Sequence, residues 1–323
     1  MSGLRYAGRR LAELIAVLFT LSLVTFGLVY LAGGDPARSL VGARKATPEL
    51  LASIRQAYHL DEPIWQQYGR WIGDLLHGDL GESVRTGLPV GQMIADRAAV
   101  TTELSVLALA MAVVVGLPLG VVAAKRQGTA LDRTITGLAV AGLSAPSFAV
   151  GLLALYLLAV LAGWFPVYGL GSGGVADRLW HLVLPAGTLA LGLLASIVKV
   201  SRAALLREIN ADYTAFARAR GLGRLAVTGA QLQNAALPIA TTTGLLLASL
   251  VSGTVLVEAT FSLGGVGTLL QESVTFKDVP VVQAITLGLG AIICVTSALV
   301  DTLAGVIDPR LRVRRSARFE VAA

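Results

Sequence analysis

The stretch "LAELIAVLFTLSLVTFGLVYLAGG", residues 11–34, carries a single charged side chain, Glu13, and follows Arg5, Arg9 and Arg10. A secretory signal core runs for roughly 7–15 apolar residues and ends at a small-x-small cleavage site. This run is longer and has no such site after it, so it is expected to be a retained membrane helix.

The same reading extends along the chain. Its 323 residues are 55% hydrophobic and 14% charged, and the mean hydropathy is +0.73. Soluble domains carry about 25% charged residues, so lipid is the solvent for much of this sequence. A span needs roughly 20 mostly apolar residues. Six segments qualify: about 9–32, 99–124, 135–162, 183–200, 239–257 and 281–307. The expected class is an all-α integral membrane protein with about six transmembrane helices. The fourth and fifth are short and carry Gly or Pro, which membrane helices tolerate.

Lysine and arginine placement gives an orientation. With the N-terminus inside, the inside segments hold 17 of the 26 basic residues, Arg5, Lys125, Arg202, Arg218 and Arg310 among them. Both termini are therefore expected in the cytoplasm. The net charge of +6 reads as a topology signal and an attraction to anionic lipid. No basic stripe is interleaved with aromatics, so nucleic acid is not an expected partner. The one cysteine, Cys294, lies in the sixth segment and reads as a packing residue.

Residues 33–97 form a long external loop with helical content. Thr47 is a candidate N-cap with Pro48 at the first helical position. In "PIWQQYGRWIGDLLHG", residues 63–78, Pro63 leads and Gly78 is the expected stop. Ile64, Trp65, Tyr68, Trp71, Ile72, Leu75 and Leu76 share one helical face. Packing on the bundle with interface anchoring is preferred to a substrate-contacting lip.

Familiar catalytic patterns are missing. His59, His77 and His181 lie far apart and lack metal-ligand spacing, and no HExxH, CxxC, G-x-S-x-G or Walker A pattern occurs. The chain is not expected to be an enzyme, to hold a metal or to bind a cofactor of its own; if it is ATP-driven, the motor is another chain. Glu13, Glu103 and Asp301 lie near span ends, where water or an arginine reaches them. That weakens a proton-coupled carrier, which uses midplane acids and broken helices.

One segment stands apart: "NADYTAFARARGLGR", residues 210–224. Asn210 or Asp212 is a candidate N-cap, with acid at the positive end of the helix dipole. Tyr213, Phe216, Ala217 and Arg220 follow at i, i+3, i+4 and i+7. Arg218 and Arg220 suit the C-terminal end, and Gly221 suits a left-handed stop. Such a helix, about eight residues and roughly 12 Å long, is too short to be stable alone. It calls for a partner surface, either another protein or the lipid interface.

"DYTAFARARGL" (212–222), followed by "NAALPIATTTG" (234–244), resembles the cytoplasmic loop motif of bacterial ABC importer permeases, specifically the dipeptide/oligopeptide permease family of the B type, whose relatives also carry nickel. "LAGGDPARSLVG", "GLSAPSFAVGLLALYL", "HLVLPAGTLALG", "FSLGGVGTLLQESVTFKDVPVVQAI" and "LVDTLAGVIDPRLR" are similar to further landmarks, in the family's order and over nearly the whole chain.

The resemblance implies a type I ABC importer permease fold. Residues 1–97 would form an N-terminal span and external loop, 98–308 the permease core and 309–323 a basic cytoplasmic tail. Asp212, Tyr213, Phe216, Ala217, Arg218, Arg220 and Gly221 would form a coupling helix docking on an ATPase subunit. Tyr213 and Phe216 would fill its groove, the two arginines would meet its rim, and Leu237 and Pro238 would close the loop where the fifth span begins. Gly244, Ser249, Gly253, Gly288 and Gly290 would let the fifth and sixth spans approach closely.

Implied partners are a second homologous permease chain, two ATP-binding subunits holding ATP and Mg, an extracytoplasmic substrate-binding protein and membrane lipid. The implied location is the bacterial cytoplasmic (inner) membrane, multi-pass. The implied cargo is di- and oligopeptides; nickel chelates, glutathione or another small solute stay open, as does a stand-alone secondary carrier. Ala215, Phe216 and Gln233 depart from the family pattern, which points to a dedicated ATPase.

Overall fold

The computed structural model describes residues 3–31, 36–41, 47–57 and 59–307. Among them the structure is helical throughout, with one isolated bridge between Glu82 and Pro89 and no named strand. The helices are α1 (Gly3–Leu31), α2 (Pro36–Val41), α3 (Pro48–Ala57), α4 (Ile64–Leu76), α5 (Val90–Lys125), α6 (Ala130–Ser144) and α7 (Ser147–Ala154). They continue with α8 (Val175–Ile209), α9 (Asp212–Ala219), α10 (Arg224–Phe261), α11 (Val266–Thr275) and α12 (Val279–Ile307). The basic tail expected at 309–323 lies outside the described residues, as do the side chains of Arg5, Arg9, Arg10 and Asp301.

Among the described residues, three helices are long and apolar enough to cross a membrane: Val90–Lys125, Val175–Ile209 and Val279–Val300. Two bent pairs, Ala130–Ser144 with Ser147–Leu161 and Arg224–Leu247 with Ser252–Phe261, raise the number to five if each is one span. The apolar stretch described in α1, Leu11–Gly27, is shorter.

The third expected span, 135–162, is not one straight helix. Its two halves meet at 105°. Pro146 explains the break, because its ring disfavours helical backbone in the preceding residue, and Ala145 is extended at ψ 127°. Beyond α7 the chain continues as a π-helical run, Leu155–Leu161. The fourth and fifth segments are also far longer than hydropathy suggests. α8 and α10 extend past the apolar stretches at both ends, running through Pro185 and Pro238 respectively.

The chain divides into two compact units. The first comprises Met1–Glu103 and Ser262–Cys294. One part of its core gathers Val90 and Met93 of α5, Leu269 of α11 and Val281 and Ile285 of α12. Another gathers Ala37, Val41 and Ile54, with Tyr30 and Val279 packed against them. The α4 helix forms as its sequence suggests: Pro63 precedes it and Gly78 follows at φ 85°. Its Tyr68 and Trp71 rings lie 5.4 and 5.5 Å from Phe26 of α1, and Tyr68 Oη shares a hydrogen bond with Ser22 Oγ at 2.7 Å. Packing on the bundle is thus the role of these two rings, while Trp65 is exposed. Thr47 Oγ1 accepts from the Leu50 amide, capping α3.

The loop before α5 is pinned to the turn before α12. Buried Asp278 accepts from Ser83 Oγ and, at 3.1 Å, from the Val84 amide. Arg85 pairs with Glu272 at 3.3 Å and lies over the Phe276 ring.

The second unit comprises Leu104–Phe261 and Val295–Ala323. Its helix α8 is buried along much of its length, with Leu182, Ala186, Ile197, Val198 and Leu205 inside the protein. α5 approaches it where side chains vanish. A Cβ on Gly120 would lie 2.7 Å from Ser201 Cβ, and one on Gly116 3.2 Å from Ile197 Cγ2. On the opposite flank, Gly151 of α7 admits Phe261 and Thr188.

The expectation for small residues in the last two spans needs correcting. Only Gly244 sits between them, against Val300. Gly253 instead admits Leu189 of α8, and Gly290 admits Leu21 of α1. Gly288 faces open space, and Ser249 is exposed with its hydroxyl bonded to the Leu246 carbonyl.

Candidate functional site

The 212–219 segment is a helix of eight residues, α9, held between the ends of α8 and α10. Neither Asn210 nor Asp212 caps it. Asn210 closes α8, its amide donating to the Leu206 carbonyl, and the cap position falls to extended Ala211, whose side chain makes no capping bond. Asp212 occupies the first turn and Arg218 the last, each favourable to the dipole.

The C-terminal stop matches the sequence. Gly221 adopts φ 78°, the Gly221 amide donates to Arg218 O at 3.0 Å, and the Leu222 amide donates to Ala217 O at 3.2 Å. These two bonds satisfy carbonyls left open by the helix end. The turn then leads directly into α10.

The face presented to solvent is aromatic and basic. Phe216 is 65% exposed and Tyr213 37%. The Arg220 guanidinium lies over the Phe216 ring at 5.7 Å, so the cation and the ring form one surface. Arg218 is exposed and Ala217 half-buried beneath them. Leu222 and Leu225 extend the apolar part of this surface at 53% and 90% exposure; their apolar character is the only sequence signal for them.

Leu237 and Pro238 do not close the loop. Both lie well inside α10, which begins at Arg224, and both are half-buried. The proline removes one backbone donor without ending the helix, because helices at membrane depth and packed against neighbours re-satisfy such gaps.

Besides Tyr213, the attachment of α9 uses residues the sequence did not single out: Glu208, Thr214 and Gln231. Tyr213 Oη donates to Glu208 Oε2 at 2.8 Å. Thr214 is the one buried side chain of α9; its hydroxyl donates to the Glu208 carbonyl at 2.6 Å and accepts from Gln231 Nε2 of α10 at 3.3 Å. Further up α8, Arg202 donates to both oxygens of buried Asp132, which also accepts from the Gly128 amide at 2.9 Å.

Other candidates resolve into local roles. His59, His77 and His181 bind neighbours in sequence: Glu62, the Gly73 carbonyl and Asp177. Glu13 is exposed and Glu103 half-buried. Glu258 of α10, a residue beyond the expected fifth span, is fully buried beside Thr254 in the chain's register.

Comparison with known proteins places this geometry in context. Residues 116–313 match the family of binding-protein-dependent transport system inner membrane components, and residues 3–105 match the N-terminal region of such components. A probable peptide ABC transporter permease protein of Sinorhizobium fredii is 36% identical over 95% of this chain and 99% of its own length. The dipeptide transport system permease protein DppB of Escherichia coli K12 is 35% identical over 97% of this chain and 100% of its own. Among solved structures, the inward-facing MetNI methionine ABC transporter is similar in fold, with TM-score 0.56 and 20% identity over 67% of this chain and 97% of that one.

Proposed function

We propose that this chain, which belongs to the dipeptide/oligopeptide permease family of binding-protein-dependent transport inner membrane components, moves peptides across the bacterial cytoplasmic membrane under the power of separate ATPase subunits. The family is that of ABC transporter permease subunits, which are multi-pass membrane proteins. The observation that carries the coupling role is α9: a short helix, capped by Gly221, that turns Phe216, Tyr213 and Arg220 outward.

In this reading α1 and the two bent pairs complete six spans, with both termini in the cytoplasm, as the distribution of basic residues supports. Two such permease chains, two ATPases and an external binding protein form the transporter. ATP and Mg bind in the ATPases, and this chain contributes no catalytic group. Closure of the ATPase pair moves α9 as a rigid body and shifts the helix bundle between two packed arrangements.

A stand-alone carrier is the second reading, favoured by the break at Pro146 and the buried Glu258. Mild solubilisation of the tagged chain, with mass spectrometry of what co-purifies, separates the two. Recovery of a related permease and Walker-motif ATPases is expected. A chain that is reproducibly alone and still active in uptake would sink the importer reading.

A further inference from the structure

We infer that Thr214, with Gln231 and Glu208, is the joint that makes α9 move with α8 and α10, and hence a positioning residue for coupling. The inference rests on the importer reading above and adds to it the residue through which force leaves the docking helix.

An eight-residue helix holds no fixed orientation by its own hydrogen bonds, and α9 lacks even a capping side chain at its start. Its direction is therefore set by what ties it to its neighbours. Of its eight residues only Thr214 is buried, and no part of that residue is exposed to solvent. The Thr214 hydroxyl uses both its capacities there. It donates to the carbonyl of Glu208, in the last turn of α8, and accepts from the side-chain amide of Gln231, itself buried two turns into α10. One oxygen thus joins three helices.

Tyr213 adds a second, exposed tie, to the carboxylate of Glu208. Among the described residues, the outward side chains of Phe216, Arg218 and Arg220 make no hydrogen bond or ion pair to α8 or α10, so a push on them reaches the long helices through the backbone turns and this joint. A loose joint would let α9 swivel in place while its partner moved.

Thr214→Val keeps the shape of the side chain and removes both bonds; Thr214→Ser keeps the bonds. In a Cys294→Ala chain, spin labels at Ala203→Cys and Ala215→Cys report the spread of distances between α8 and α9. The same variants, assembled with their co-purifying ATPases, report uptake per ATP hydrolysed. Thr214→Val is expected to broaden the distance distribution and lower uptake per ATP about tenfold, as loss of two buried hydrogen bonds warrants, with the ATPase still bound. Thr214→Ser is expected to restore both.

An unchanged distance spread in Thr214→Val would overturn the joint, and a broader spread with unchanged uptake per ATP would overturn its role in coupling. If the unaltered chain binds no ATPase, the importer reading itself falls and the coupling role falls with it; the distance measurement still judges the joint separately.

Discussion

Arg202 of α8 grips Asp132 of α6 through both carboxylate oxygens, at 2.6 and 2.8 Å, about two turns before α8 ends. Thr129 caps α6 from the same loop, and the Gly128 amide and the Thr136 hydroxyl complete the carboxylate's shell. Asp132 is 3% exposed, so this charge depends on its partners rather than on water.

Removing one member of a buried pair leaves the other charge uncompensated, at a cost of about 3–5 kcal/mol. Arg202→Met is therefore expected to lower the thermal unfolding midpoint of the detergent-solubilised protein sharply. Asp132→Leu combined with Arg202→Met is expected to recover at least half of that loss. A single variant as stable as the parent would show that the pair holds nothing together.

The docking face carries the second prediction. Phe216→Asp with Arg220→Glu replaces the ring-and-cation surface by two acids without touching a buried side chain of α9. Membrane insertion is expected to persist while ATPase co-purification and uptake are lost. Uptake at the parental rate by this double variant would exclude α9 as the docking element.

Gly120 tests the close approach of α5 and α8. A methyl there meets Ser201 Cβ at 2.7 Å and the Val198 carbonyl oxygen at 3.0 Å, and a backbone atom cannot rotate aside. Gly120→Ala is expected to cost about 1–3 kcal/mol, read as a lower denaturation midpoint. The same change at Gly288, which meets nothing within 4 Å, is expected to leave it unaltered.

Orientation and loop anchoring are tested together. Gln66→Cys, on an exposed position of α4, is expected to react with a membrane-impermeant maleimide on intact spheroplasts of a Cys294→Ala strain. Asp278→Ala unties Ser83 and the Val84 amide, so trypsin added outside is expected to cut at Arg85 faster than in the parent. Labelling that requires permeabilised cells would invert the orientation.

Local chemistry was legible in the sequence where a single residue decides a turn. Gly221 and Gly78 both take the left-handed stop, and Thr47 caps α3, because these conformations need only neighbours in the chain. Hydropathy located every long helix but misjudged the lengths of α8 and α10. Backbone hydrogen bonding does not end where lipid ends, and the polar turns of a helix carry no apolar signal. It also gave no sign of the bend within 135–162, since the apolar run continues across Pro146 while the backbone turns there.

The joint at Thr214 and the Asp132–Arg202 pair were not legible. Each brings together side chains 17 or 70 positions apart, and a lone threonine or aspartate carries no mark of its partner. Position in the register predicted the exposed face of α9 better than its attachment, because exposure follows helical period and attachment follows tertiary packing.

The first compact unit is discontinuous in the chain, and this has a consequence for synthesis. Val90 and Met93 share a core with Leu269, Val281 and Ile285, separated from them by 176 to 195 residues. At ribosomal rates of about 5–20 residues per second, the first helical part of that core waits roughly ten to forty seconds for its complement. Before that complement is made, Phe26 of α1 already offers Tyr68 and Trp71 of α4 a surface. The aromatic pairing between α1 and α4 joins segments close in the chain, so it needs none of the residues that complete the core from its far end.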